Sequence, residues 1–221
     1  MLEEQLSRCR VEVQASLAPA DWMVLQEAIE RLRMMQVAEH ALQVGDTLPE
    51  FTLPDTDGLI VSSEAMLDRG PLAVVFIRGT WCPYCSATLE ALDRARPAIE
   101  QLGGNIVAIS PMNTDELLRA ATARGLKLRL LSDVDAAYAR LCGVQYQMSD
   151  AHVEMFSRLG LDIAALNAGS GWQLPVPASY VAGTDGRISF AFTDPDWTQR
   201  AEPVDLVAAI ERAAQAAVST G

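Results

Sequence analysis

Two cysteines with two residues between them, Cys82 and Cys85 in the stretch WCPYC, carry the strongest chemical signal in this chain. Such a pair offers thiol–disulfide exchange, which needs one thiol that ionises near neutral pH and a second within reach. A cysteine at the mouth of a helix meets unsatisfied backbone N–H groups and the positive end of the helix dipole. Both favour the anionic sulfur and pull its pKa below the free value of about 8.5. The second cysteine then lies about one helical turn away, placed to attack a mixed disulfide on the first and release the product. Pro83 suits the first helical position, where its fixed φ helps and its missing N–H is no loss.

Two other uses of the pair are weighed against redox chemistry. Tetrahedral zinc usually takes four ligands, and one CxxC supplies two. His40 and His152 stand apart from each other, and Cys9 and Cys142 are single, so no second half of a metal site is in view. A buried, inert pair is the remaining alternative. Redox chemistry is favoured because the pair follows an apolar strand and opens a helix, the context that a redox CxxC requires. Around it, Trp81 and Tyr84 either shape a partner surface or pack. Thr80 is a candidate hydrogen-bond donor to the thiolate. Arg78 is a candidate for lowering a cysteine pKa, although an arginine at such a place is more often solvated.

The elements that must position this site follow from the apolar pattern. Leu72–Ile77 is a continuous apolar run, read as a central buried strand, and Pro83 opens a helix to about Leu102 that Gly103-Gly104 stops. Strands at 105–109 and 127–131 alternate with helices at 114–124 and 134–142, which argues an α/β fold with a largely parallel core sheet. Asn113 and Glu116 make a capping-box-like helix start. Residues 143–176 break the alternation, with a helix near 150–159 and the loop LNAGSGW, and read as an insertion. Residues 179–182 and 187–193 read as a hairpin, and Pro203 begins a last helix with Val204, Val207 and Ile210 towards the sheet. The redox domain is thus drawn over 43–221. Residues 1–42 form a helical extension with two apolar stripes, Leu2-Leu6-Cys9-Val13-Leu17 and Trp22-Leu25-Ile29-Leu32. This extension is expected to support assembly, as in a possible homodimer, or stability, and to be dispensable for the chemistry.

Seventeen basic and 29 acidic residues give a formal net charge of −12. So acidic a surface repels phosphate backbones and anionic headgroups, which disfavours nucleic-acid and membrane binding. No apolar run approaches the roughly 18 residues needed to span a bilayer, and the charged N-terminus lacks the core of a signal peptide. A cytoplasmic location is therefore expected.

The stretch FIRGTWCPYCSATLEAL resembles the thioredoxin-like superfamily and, more narrowly, the peroxiredoxin-like AhpC/TSA proteins. VGDTLPEFTLPDTDG before it, LLSDVDAAYARLCGV after it and LPVPASYVAGTDGRISFAFTDPDW near the end extend the likeness over about residues 44–212. The resemblance implies a thioredoxin-like fold, a mixed central sheet flanked by helices. It also implies a peroxide or disulfide substrate, a thioredoxin- or glutathione-type reductant, and no cofactor. It places Cys82 and Cys85 as the redox pair, and Pro177 as the cis-proline that thioredoxins set opposite their cysteines. The chain departs from the peroxiredoxin pattern PxxxTxxC: aligned from Phe76, Arg78 takes the proline's place, Cys82 the threonine's and Cys85 the attacking cysteine's. The arginine usual before the later strand is not evident, with Pro177 near its place. In the thioredoxin register Cys82 attacks; in the peroxiredoxin register Cys85 does. Cys82 is favoured, because the second cysteine of a CxxC is usually the more buried. A non-enzymatic module of the same fold, sensing redox state or serving dimerisation, is the alternative to an enzyme.

Overall fold

The computed structural model describes residues 1–169 and 171–219. In chain order the elements are α1 (Leu2–Ser16), α2 (Pro19–Met34), the short α3 (Val37–His40), a hairpin of β1 (Thr52–Pro54) and β2 (Ile60–Ser62), and the short α4 (Ser63–Leu67). Next come β3 (Leu72–Phe76), α5 (Pro83–Gln101), β4 (Asn105–Ser110), α6 (Thr114–Arg124), β5 (Arg129–Ser132) and α7 (Ala137–Leu141). Then follow β6 (Gln145–Gln147), α8 (Asp150–Arg158), α9 (Ile163–Leu166), β7 (Gln173–Pro175), β8 (Ala178–Ala182), β9 (Ile188–Thr193) and α10 (Pro203–Ser219).

The central sheet runs β5-β4-β3-β8-β9, with β3, β4 and β5 parallel and β8 and β9 antiparallel to their neighbours. This is the mixed, helix-flanked sheet of the thioredoxin-like fold. Its middle strand, β3, is LAVVF, and every residue in it is buried. The period of two sends Leu72, Val74 and Phe76 into one layer with Phe51, Tyr138 and Tyr180, and Ala73 and Val75 into the other with Leu89, Leu92 and Ile99 of α5. A strand covered on both faces has no need of alternation, hence its uninterrupted apolar run.

The extension does not stand off the domain. Leu2 and Leu6 of α1 are buried in the same cluster as Tyr84, Cys85 and Leu89 of α5, and Cys9 and Val13 pack against it. Glu202 accepts from the Leu2 and Glu3 backbone N–H groups at 3.0 and 2.7 Å, tying the start of α1 to the segment before α10. Leu25, Ile29 and Leu32 of α2 share a third cluster with Tyr146, Met155 and Trp197.

Three expectations change. Residues 143–176 hold a small antiparallel ribbon, β6 with β7, with Tyr146 opposite Leu174; three-residue strands are too short to show a period. The helix expected over 134–142 is broken, because Asp135 and Ala136 take φ of +58° and +48°, and Asp133 instead accepts from the N–H groups of Tyr138 and Ala139. On α10 it is Leu206, Ala209 and Ile210 that are buried, while Val204 is 67% exposed. No helix among the described residues is long and apolar enough to cross a membrane.

Candidate active site

The sheet delivers the cysteines through a tight connection between β3 and α5. Gly79 makes it possible: a Cβ there would stand 2.2 Å from Trp81 Nε1 and 3.0 Å from Met112 Sδ. Cys82 is the N-cap of α5, Pro83 its first residue, and Cys85 lies in its first turn. Cys82 is 1% and Cys85 0% exposed, so burial does not tell the two sulfurs apart. All four cysteines are free thiols in this structure.

Each sulfur of the pair meets a guanidinium. Arg78 Nη2 donates to Cys82 Sγ at 3.0 Å, and Arg200 Nη2 donates to Cys85 Sγ at 3.6 Å. Arg78 is buried, not solvated, and its guanidinium lies between two indoles, 4.4 Å from the Trp197 centroid and 5.4 Å from that of Trp81. An aromatic face stabilises a desolvated cation electrostatically, which helps explain how the charge is kept inside. Burial works against that charge, yet the neighbouring sulfurs, Cys82 foremost, and Tyr146 hold Arg78 protonated above the ordinary arginine range.

The two thiols are shifted in opposite directions. Burial raises both thiols, but the Cys82 S–H donates to Cys85. Together with Arg200, Arg78 and the Arg78 backbone N–H, this holds Cys85 well below the usual thiol range and leaves Cys82 well above it. One negative charge is thus stabilised over two sulfurs, and its titration belongs to the pair. Cys142, by contrast, is pushed up to about 12 by burial, and burial also raises Cys9. Of the four cysteines, only Cys85 is held below the usual thiol range.

The other expected site residues divide. Trp81 is half-buried beside the pair, edge-on to Phe156 with ring centroids 5.4 Å apart. Thr80 gives no bond to either sulfur; its N–H donates to Met112 Sδ at 3.1 Å and its hydroxyl lies 3.5 Å from the same atom. Tyr84 is buried in the α1–α5 cluster, where it packs instead of shaping a partner surface; burial pushes its hydroxyl up to about 12. Pro177 is buried just before β8, as expected, but its peptide bond is trans, so the cis-proline assignment is withdrawn. In β8 its neighbours pair with β3, and that ladder holds the chain there without the isomer. An arginine that the sequence pattern did not point to, Arg200 beyond β9, reaches Cys85.

Four residues at the site were not singled out for chemistry: Arg200, Tyr146, His152 and Trp197. His152 is buried between the Phe156 and Trp197 rings, with centroids 5.0 and 5.6 Å away, and burial, then the charge of Arg78, pushes its pKa down to about 3. A 110 Å³ cavity opens beside Arg200, between Leu6 and Arg10 of α1 and the 198–200 segment. No spacing rule links these positions to WCPYC; the only hint was that Arg200 closely follows DPDW, the last stretch of the resemblance.

The comparisons with known proteins agree with this architecture. The family model described as the AhpC/TSA family matches residues 44–191. A candidate peroxiredoxin of Mycobacterium tuberculosis (strain H37Rv) is 35% identical over 94 residues, which is 42% of this chain and 59% of that protein. The match therefore spans little more than half the length of that relative. Among solved structures, the peroxidoxin BcpB of Mycobacterium tuberculosis superposes with a TM-score of 0.58 at 22% identity, covering 78% of this chain and 97% of that one. A cysteine-to-serine variant of peroxiredoxin 6 from Arenicola marina gives 0.59 at 14% identity over 77% and 72%. A candidate thiol:disulfide interchange protein, DsbE, of Chlorobium tepidum gives 0.56 at 17% over 79% and 99%. These likenesses establish a shared fold. Because that family model matches residues 44–191, well over half of its length, the chain belongs to the AhpC/TSA family.

Proposed function

We propose that the chain is a thiol-dependent oxidoreductase that cycles Cys82 and Cys85 between dithiol and disulfide to reduce peroxides, disulfides or both. One thioredoxin-type dithiol, or two glutathione-type thiols, restores the pair and leaves as its own disulfide. The observation that carries this reading is two buried thiols at the start of one helix, with a guanidinium on each sulfur. An inert structural pair has no use for a buried arginine on one sulfur and a second arginine on the other, since burying a cation is costly unless an anion answers it.

With Cys82 as the attacking sulfur, its proton first passes to Cys85. The Cys82 thiolate, at the helix N-cap and 3.0 Å from Arg78, attacks one peroxide oxygen. An S–O bond forms, the O–O bond breaks, and the leaving oxygen takes its electron pair and then the Cys85 proton. The Cys85 thiolate attacks the Cys82 sulfenic acid, the S–S bond forms, and hydroxide leaves to become water with a solvent proton. A second reading exchanges the two sulfurs, and the resting charge on Cys85 favours it. Cys82 is preferred for its N-cap position and the shorter arginine contact.

Peroxide consumption and adduct trapping by the two cysteine-to-serine variants decide. Cys85→Ser is expected to trap a mixed disulfide or sulfenic acid on Cys82, because nothing remains to resolve it, and Cys82→Ser to trap little. The reverse pattern would assign the attack to Cys85. If wild type reacts once and does not turn over with excess reductant, it is a sensor and the enzymatic reading fails.

A further inference from the structure

Buried polar side-chain atoms without a hydrogen-bond partner are uncommon, because each has given up water for nothing. Nine such atoms occur among the described residues, and seven of them lie on five residues gathered around Arg78 and the cysteine pair. They are Arg78 Nε and Nη1, Trp81 Nε1, Tyr146 Oη, both ring nitrogens of His152, and Arg200 Nε. Ordinary packing faults would be scattered. A concentration around two reactive sulfurs points to an oxygen-bearing occupant.

Of these groups, Tyr146 is the one that a strand pairing holds in place. It sits in the middle of β6, paired with Leu174, 5% exposed, on a ribbon that packs under Trp197 and against Trp81. Its hydroxyl lies beside the Arg78 guanidinium and feels the charge of Arg78, Cys82 and Cys85. It makes no well-formed hydrogen bond to any of them. Burial keeps it protonated, so it is an O–H donor at neutral pH. Arg78, which already gives Nη2 to Cys82, keeps Nη1 free beside it.

We propose that Tyr146 is a further catalytic residue: its hydroxyl, with Arg78 Nη1 and Trp81 Nε1, binds the peroxide oxygen that leaves as the O–O bond breaks. This rests on the dithiol peroxidase reading above. The leaving oxygen holds the electron pair of the broken bond until the proton of the resolving cysteine reaches it. Donors already in place stabilise that charge without reorganisation. A leaving sulfur in disulfide exchange spreads its charge and accepts hydrogen bonds weakly, so the same donors matter little there. The substrate class that fits is a small hydroperoxide, because the donors stand within a closed, buried cluster.

The test compares two reactions of full-length wild type and Tyr146→Phe: stopped-flow oxidation by hydrogen peroxide, and alkylation by iodoacetamide. Alkylation needs the thiolate but produces no leaving oxygen. Tyr146→Phe is expected to lower the peroxide rate by about 10²-fold, the scale seen when one such donor is removed, with the alkylation rate unchanged. Equal changes in both rates, or none, overturn the proposal. Should Tyr146→Phe fold poorly, Trp81→Phe gives the same comparison: a peroxide-specific fall supports the donor set and an unspecific one overturns it. A wild-type pair that alkylates readily but is inert to peroxide overturns the peroxidase reading as well. A reactive wild type with an unaltered Tyr146→Phe overturns this inference alone.

Discussion

Replacing Arg78 with methionine isolates what the buried guanidinium does for the thiolate. Methionine has a similar length and enough flexibility to lie between the Trp81 and Trp197 rings, so the packing is largely kept and the charge is lost. At 3.0 Å from Cys82 Sγ, a unit charge acts on a thiolate with about 5–6 kcal/mol at an effective dielectric of ~20. Much of that is offset by the cost of keeping the cation dry, and a hydrogen bond to a charged group leaves a net of about 1.5–3 kcal/mol. At 1.36 kcal/mol per pKa unit, the first ionisation of the pair should rise by about one to two units. Iodoacetamide alkylation of the pair, followed against pH, should show its inflection moved up by that amount. A second readout is the reduction potential. The loss falls on the dithiol form, which carries the thiolate, and spares the disulfide form, so the potential should drop by about 30–60 mV. An inflection and a potential both unmoved in a folded Arg78→Met protein would refute the assignment of Arg78 as the cation that activates the pair.

Two further expectations concern stability. His152 is held neutral with its pKa pushed down to about 3, against an unfolded value near 6.5, so the stability it contributes is complete above 6.5 and is lost as pH falls towards 3. At pH 5 the loss is about 2 kcal/mol; His152→Phe keeps a ring between Phe156 and Trp197 and should lower the melting temperature less than wild type between pH 7 and 5, and parallel falls would contradict this. Leu6→Ala opens the α1–α5 contact and should cost about 2–3 kcal/mol, a drop of several degrees in Tm, while the pH inflection of cysteine alkylation stays put; a shifted inflection would show that α1 takes part in the chemistry as well as in packing.

What the linear sequence determined here is what neighbours along the chain decide among themselves. LAVVF is buried on both faces because its residues leave no polar side to expose, and Pro83 with the cysteines around it opens a helix because those types suit its first turn. The Asn113 cap is equally local: its side chain accepts from the Glu116 N–H at 2.9 Å, three residues on. Cys82 and Cys85 are one turn apart wherever that helix lies. Tertiary structure decided how the pair is charged. Arg200 reaches Cys85 from 115 residues away in sequence, with every element from β4 to β9 between them, and no periodicity records such a contact. Arg78 stands four residues from Cys82, yet a solvated arginine and a buried one are spelled alike; Trp197, from a distant segment, lies over its face in the folded chain. Tyr146 was carried in by a ribbon of three-residue strands, too short to leave a pattern. The reason is the same in each case. Local geometry repeats every two or 3.6 residues and is written in the spacing, whereas the meeting of distant segments depends on which apolar faces close over one another, and residue order alone does not encode that.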